Sequence, residues 1–288
     1  MKAHVYFPAD MPGVVDPAQI SGAQPNYPLI VIIHGNGHDY AAYDLLLQHF
    51  ARNGFITASI DVRYVNGGVE SHGMAGQGRA EALFSHLTVI KAKFGANVQN
   101  NIGIMGHSRG GEAVIKAARI NQQQGFPHQI NVVASLAPTD RYGTETLDGA
   151  WTKPYFVLYG SRDGDVRGGP PTTAGYTVAQ CGFSLYDRAN GNTKSMCFLY
   201  KATHNGFITS NSDALPVESA DVIDPAIQKA YTWAYMNAFF RWHLKNEPQW
   251  EGMFKGEWKP ASISSTGAKS YIRYIDTTLK TVDDFEGP

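Results

Sequence analysis

The chain has 288 residues, a formal net charge of −1 at pH 7 and 43% hydrophobic residues. It is long enough to bury a sizeable core, as one large α/β domain or as two small domains. Charged residues make up only 17% of the chain, and no run of Lys or Arg indicates a nucleic acid or an anionic membrane surface as a partner. No run of about 18 apolar residues predicts a membrane span. The low charge, with many Gly, Asn, Thr and Tyr residues, favours a secreted or periplasmic protein.

Short apolar runs alternate with amphipathic helical patterns along most of the chain. Strands are predicted at residues 4–7, 29–33, 55–60, 102–105, 130–136, 155–159 and 195–200, and helices at 40–53, 78–94, 112–124 and 224–245. The run at 29–33 is apolar at every position, which is typical of a strand buried on both faces of a parallel sheet. The alternation predicts one doubly wound α/β domain.

The motif Gly106-His107-Ser108-Arg109-Gly110-Gly111 lies between a predicted strand and a predicted helix. Small residues two positions before and after a serine allow a sharp turn that exposes its Oγ at the top of a sheet. The pentapeptide alone also fits an ordinary Gly-rich turn, but the flanking strand and helix are the context that a nucleophile elbow requires. Ser108 is therefore the candidate nucleophile.

A carboxylate and a histidine follow two later strands. Asp163 comes after the strand at 155–159, and His204 comes after the strand at 195–200. A histidine can take the serine proton and return it to the leaving group, and a carboxylate can hold the imidazole in the required tautomer. The chain order Ser, Asp, His is that of α/β-hydrolase triads. Asp165 is the alternative acid.

The loop His34-Gly35-Asn36-Gly37-His38 follows the first buried strand. The backbone N–H groups of Asn36 and Arg109 are the predicted oxyanion-hole donors, a role that explains neither side chain. Two histidines in a glycine loop lack the third ligand of a catalytic zinc site, so no metal is expected.

Four segments and one histidine together resemble the α/β-hydrolase superfamily: residues 29–39, 53–63, 106–111 and 160–166, and His204. The likeness is greatest to chlorophyllases and to cutinase-like and dienelactone-hydrolase-like esterases, and the elbow is similar to that of chlorophyllases. The resemblance implies a three-layer fold with a mostly parallel sheet between helices. It also implies hydrolysis of small-molecule or polymeric carboxylic esters through an acyl-enzyme, without a cofactor. The chain is expected to act as a monomer.

Other interpretations stay open on the sequence alone. A polyester hydrolase of the cutinase type is one alternative, although its relatives usually carry an aromatic residue and a Met or Gln where this chain has Asn36 and Arg109. A lipase is another, although no large apolar lid is recognisable. A non-catalytic binding module of the same fold is a third. The Arg109 side chain could contact substrate or form a structural salt bridge.

The catalytic domain is predicted to span residues 1–248. Residues 249–288 are predicted to form a strand-containing extension that could lead into a linker and a further β-sandwich module. The two cysteines, Cys181 and Cys197, could form a disulfide that steadies the loops of the acid and the base. A helix beside the site is expected between residues 164 and 195.

Overall fold

A nine-stranded sheet forms the middle of the molecule. The structure is a computed structural model and describes residues 1–65, 76–140, 145–148, 151–166, 183–190, 193–208, 221–276 and 282–285. The strands are β1 (Ala3–Tyr6), β2 (Tyr27–Ile33), β3 (Ile56–Ile60), β4 (Val98–His107), β5 (Ile130–Leu136), β6 (Tyr155–Gly160), β7 (Thr193–Leu199), β8 (Ser270–Asp276) and β9 (Val282–Phe285). Their spatial order is β1-β3-β2-β4-β5-β6-β7-β8-β9.

Six strands run parallel to one another, in the spatial order β3, β2, β4, β5, β6 and β7. The three outer strands, β1, β8 and β9, pair in antiparallel fashion. Every residue of β2, β3 and β6 is buried, as expected for parallel strands that are covered on both faces. The carboxyl ends of the parallel strands therefore meet at one edge of the sheet, where α/β proteins hold their ligands.

Helices cover both faces of the sheet. They are α1 (Asp44–Arg52), α2 (Gln77–Phe94), α3 (Arg109–Gln123), α4 (Phe183–Arg188), α5 (Pro225–Lys245), α6 (Glu251–Phe254) and α7 (Ala261–Ser264). Successive residues of β2 point to opposite faces: Val31 packs in the core that α2 and α3 cover, whereas Ile30 and Ile32 pack in the core that α1 and α5 cover. The predicted mostly parallel, three-layer α/β fold is confirmed.

Four aromatic residues of α5 are core residues. Tyr231, Tyr235, Phe239 and Phe240 are each at most 1% exposed. Phe239 packs against Phe156 of β6, with 5.4 Å between the ring centroids. Because so much of its circumference is apolar, this helix is packed on more than one side. Within the described residues, no helix has the length and apolar character needed to cross a membrane.

The extension predicted at 249–288 contains β8, which extends the central sheet by pairing with β7. The division of the chain at residue 248 and the further module stay predictions. Of the two cysteines, Cys197 is buried in β7, whereas Cys181 lies outside the described residues, so their pairing also stays a prediction. Of the helix expected between 164 and 195, the described part is α4.

Candidate active site

Ser108 lies in a strained turn between β4 and α3. Its backbone has φ 54° and ψ −123°, a conformation that L-amino acids rarely adopt and that is typical of functional sites. Glycines make the turn possible. A Cβ atom on Gly106 would lie 2.0 Å from the carbonyl oxygen of Gly110, and a Cβ atom on Gly110 would lie 2.1 Å from the carbonyl oxygen of Ile33. The strand–turn–helix context predicted for the elbow is confirmed.

The close backbone contact at Gly106 gives a prediction for stability. Gly106→Ala is expected to lower the free energy of unfolding by at least about 2 kcal/mol, because the new methyl group overlaps backbone that cannot rotate away. Thermal denaturation followed by circular dichroism measures the effect. Gly22→Ala is the matched control: a methyl group added at Gly22 would have no atom within 4 Å and should change stability by no more than about 0.5 kcal/mol. Equal melting temperatures for the two variants would show that a methyl group at Gly106 does not collide with the backbone of Gly110.

His204 and Asp163 form a buried pair at the carboxyl ends of β7 and β6. The Nδ1 atom of His204 is 2.8 Å from Oδ2 of Asp163, and the side chains are 5% and 0% exposed. The other oxygen, Oδ1 of Asp163, accepts the N–H groups of Asp165 and Val166 at 2.9 and 2.6 Å. The carboxylate therefore has a fixed orientation, with one oxygen held by backbone and the other directed at the imidazole.

Backbone hydrogen bonds bring the two loops together. The N–H of Ser161 donates to the carbonyl of Leu199 at 3.0 Å, and that of Arg162 donates to the carbonyl of Ala202 at 2.9 Å. The buried Gln228 of α5 holds the residue before the histidine, because its amide accepts from the N–H of Thr203 and donates to the carbonyl of Thr203. The loops that carry Asp163 and His204 are thus held to each other and to α5.

Asp165, the alternative acid, occupies a different position. Its Oδ2 atom is 3.5 Å from Nε2 of His204, and its side chain is 47% exposed. It therefore approaches the imidazole nitrogen opposite the one that Asp163 contacts. A carboxylate that orients an imidazole as a base contacts Nδ1, and the carboxylate in contact with Nδ1 of His204 is that of Asp163.

The loop after β2 lies against the serine. A Cβ atom on Gly35 would be 3.1 Å from Cβ of Ser108, so the next residue, Asn36, is close to the elbow. The guanidinium of Arg109 donates to Oδ1 of Asn36 at 2.9 Å. The two residues whose backbone N–H groups are the predicted oxyanion-hole donors are therefore joined through their side chains. Both side-chain identities, which the sequence left unexplained, have a role in this contact.

Two buried residues near the serine were not recognised from sequence as site residues. Tyr43 and His107 are both 0% exposed, and the hydroxyl of Tyr43 is 3.0 Å from Nδ1 of His107. Burial lowers the pKa of His107 well below its usual value and raises the pKa of Tyr43, so both are neutral at pH 7. The sequence did contain a signal for His107, because it is part of the elbow motif. Tyr43 appears in the sequence only as an apolar residue at helical spacing.

The histidines of the loop at 34–38 have structural partners. Nε2 of His34 accepts the N–H of Val62 at 3.0 Å, and burial lowers the pKa of His34 to about 4. The ring of His38 stacks on that of His107, with 5.1 Å between the centroids, and burial lowers its pKa to about 4 as well. Among the described residues, no group of three or more His, Cys, Asp or Glu side chains is arranged to hold a metal ion.

The mostly parallel sheet between helices, with a glycine-lined elbow after β4 and the contact between Asp163 and His204 at the carboxyl ends of β6 and β7, is consistent with the α/β-hydrolase fold. The model of the chlorophyllase family matches residues 12–140, a match that implies ester hydrolysis. The matched segment contains the loop at 34–38 and the elbow, whereas Asp163 and His204 lie beyond it. No curated protein shows a significant match to the chain.

Proposed function

We propose that the chain is a serine hydrolase of carboxylic esters in which Ser108, His204 and Asp163 are nucleophile, base and acid. The observation that carries this proposal is the buried 2.8 Å contact between His204 and Asp163, beside an elbow that presents a serine. A hydrogen-bonded imidazole and carboxylate next to a serine on a strained turn are the groups that acyl transfer requires.

In the first half of the reaction, Oγ of Ser108 attacks the ester carbonyl carbon while Nε2 of His204 takes its proton. Asp163 keeps the imidazole proton on Nδ1, so that Nε2 is available as the acceptor, and it stabilises the imidazolium that forms. The C–O bond to the alcohol then breaks, and Nε2–H returns the proton to the leaving alkoxide. The product of this half is an acyl ester of Ser108.

In the second half, water attacks the acyl ester with the same acid and base. His204 takes a proton from the water, and the C–O bond to Ser108 breaks as the serine oxygen recovers the proton. In both halves the negative charge on the carbonyl oxygen lies near the backbone N–H groups of Asn36 and Arg109. A donor of this kind contributes on the order of 10²–10³-fold to kcat in serine hydrolases. Neither half needs an oxidant or reductant.

A fluorophosphonate probe tests the proposal directly, because it labels only a serine whose proton is removed by a neighbouring base. We expect stoichiometric labelling of the native protein, with the modified peptide containing Ser108, and hydrolysis of p-nitrophenyl acetate that the label abolishes. An unlabelled, folded protein would instead support the non-catalytic binding module.

A panel of esters distinguishes the finer alternatives within ester hydrolysis. Esters of short acids, long-chain triglyceride emulsions and aromatic polyester films differ in the size of acyl and alcohol groups that the site must accept. A preference for small soluble esters is expected, since the Asn36–Arg109 contact places polar groups, not an aromatic surface, next to the serine. Faster release of products from emulsions or films would favour the lipase or the polyester hydrolase.

The contact between Arg109 and Asn36 gives a prediction about rate. Arg109→Ala and Asn36→Ala are each expected to lower kcat by about 10-fold with little change in KM, because a loop misplaced by about 1 Å loses transition-state contacts. The double variant should be little worse than either single variant, with a coupling energy of about 1 kcal/mol or more. Steady-state kinetics on one soluble ester measures all three.

The matched control is Arg119→Ala, on the same helix, where the guanidinium is 3.6 Å from Glu145 and away from the elbow. Its kcat should equal that of the native chain. If Arg109→Ala raised KM with kcat unchanged, the side chain would be a substrate contact, and its role in holding the loop would be wrong.

A further inference from the structure

A continuous chain of hydrogen bonds links the loop at 34–38, here called the oxyanion loop, with His204, the proposed base. The N–H of Gly35 donates to the hydroxyl of Tyr43 at 3.3 Å, and that hydroxyl contacts Nδ1 of His107 at 3.0 Å. On the other side of the ring, Nε2 of His107 is 3.1 Å from the carbonyl oxygen of His204. The two ends of this chain of hydrogen bonds are therefore the backbone of the loop that carries Asn36 and the backbone of His204.

The direction of each hydrogen bond in this chain is set by the partners at its ends. A backbone carbonyl can only accept, so Nε2 of His107 carries the proton. The neutral ring then has Nδ1 as an acceptor, and the hydroxyl of Tyr43 must donate to it. This leaves the oxygen of Tyr43 to accept the N–H of Gly35. Each donor faces one acceptor, and the two side chains are fully buried, where hydrogen bonds are strong and costly to break.

We propose that Tyr43 and His107 are positioning residues that hold the oxyanion loop and His204 in register on either side of Ser108. His107 precedes the nucleophile in the chain and its ring packs against that of His204, with 4.7 Å between centroids. A shift of either loop relative to the serine would break one of the three hydrogen bonds. The inference rests on the proposed function, because it assigns the two residues to an ester hydrolysis that Ser108 carries out.

Packing around Gly35 also restricts the position of the oxyanion loop. A Cβ atom there would be 2.8 Å from Nδ1 of His38 and 3.3 Å from Nδ1 of His107, so backbone of the oxyanion loop lies directly against the rings. Steric contact therefore limits movement of the loop towards the two rings. The hydrogen bond from the N–H of Gly35 to the hydroxyl of Tyr43 limits movement of the loop away from Tyr43.

Tyr43→Phe is the sharpest test, because it removes one oxygen atom and keeps the ring. We expect kcat for p-nitrophenyl acetate to fall by about 10-fold or more, with KM changed by less than about 2-fold, since a displaced oxyanion loop loses contacts to the transition state. Rates are divided by the number of active sites titrated with the fluorophosphonate probe, so that unfolded molecules do not contribute.

The matched control is Tyr155→Phe. Tyr155 is also buried, 2% exposed, but stands at the amino end of β6, away from the carboxyl ends of the strands. Its kcat per titrated site should equal that of the native protein even if its melting temperature falls. A Tyr43→Phe kcat within about 2-fold of the control would overturn the proposal.

Two substitutions of His107 separate its two hydrogen bonds. Gln reaches as far as Nε2 and can still donate to the carbonyl of His204, whereas Asn reaches only as far as Nδ1 and loses that bond. We expect His107→Gln to retain at least about 5-fold more kcat per titrated site than His107→Asn. Equal values would show that the bond to His204 does not position the base.

The outcomes also separate this inference from the proposed function. If Ser108→Ala abolishes hydrolysis and Tyr43→Phe does not affect it, the esterase stands and the positioning role is wrong. If Ser108→Ala keeps full activity, the proposed function itself fails, and the effect of Tyr43 has to be explained by another site.

Discussion

Replacing Ser108 by alanine is expected to lower kcat for p-nitrophenyl acetate by about 10⁴-fold or more while the protein remains folded. The side chain is 4% exposed and its removal leaves only a small space, so the melting temperature should change little. Without the oxygen there is no acyl-enzyme, and the remaining rate comes from the oxyanion hole and from binding alone. Hydrolysis rates at saturating ester and circular dichroism measure the two effects.

Two further variants sharpen this result. Ser85→Ala removes a hydroxyl on the exposed side of α2 and should keep full activity and lose no labelling. His204→Ala should be as inactive as Ser108→Ala, and the double variant should be no worse, because members of a triad act as one unit. Activity in Ser108→Ala equal to that of Ser85→Ala would show that the nucleophile lies elsewhere.

Asp163→Asn is expected to lower kcat by about 10⁴-fold, through the tautomer of His204. The backbone donors of Asp165 and Val166 will keep an amide oxygen in the place of Oδ1. The amide nitrogen then faces Nδ1 of His204 and donates to it. The imidazole proton must move to Nε2, which can no longer accept the proton of Ser108.

Asp165→Asn is the matched comparison, two residues away in the same loop. Its carboxylate is half exposed and lies 3.5 Å from Nε2, so its removal leaves the tautomer unchanged, and kcat should stay within about 3-fold of the native value. The reverse pattern, with a large loss only for Asp165→Asn, would show that Asp165 is the acid of the reaction.

The fold was predictable because its signals are local. The run at residues 29–33 is apolar at every position, and it is β2, buried on both faces. The first glycine of the elbow is equally recognisable, since the contacts that exclude a side chain at Gly106 are with Gly110 and Gly111, four and five residues away. Periodicity and turn chemistry act over such short distances, so a single sequence contains them.

The choice between Asp163 and Asp165 was not predictable in the same way. Both residues lie in one loop after β6, and either of them would give the same order of Ser, Asp and His along the chain. What separates them is burial and direction: Asp163 contacts Nδ1 and is fully buried, whereas Asp165 approaches Nε2 from solvent. Those properties depend on how β6 and β7 pair, which a sequence pattern does not specify.

Tyr43 illustrates the same limit more strongly. In the sequence it is an apolar residue at helical spacing, and it does pack in the core that α1 covers. Its hydroxyl nevertheless contacts Gly35 and His107, eight and 64 residues away. The link between Arg109 and Asn36 spans 73 residues. Partners so far apart in sequence are visible only once the strands are aligned.

The position of β4 in the sheet has a consequence for folding. It pairs with β2 through contacts such as Leu29 with Ile102, and pairing residues so far apart in sequence requires a long loop to close, which slows folding. A chain folded only as far as β5 would hold the serine and the oxyanion loop without acid or base. If Asp163 and His204 are the acid and base, ester hydrolysis reports the pairing of β6 with β7, and we expect molecules without that pairing to be inactive however much secondary structure they contain.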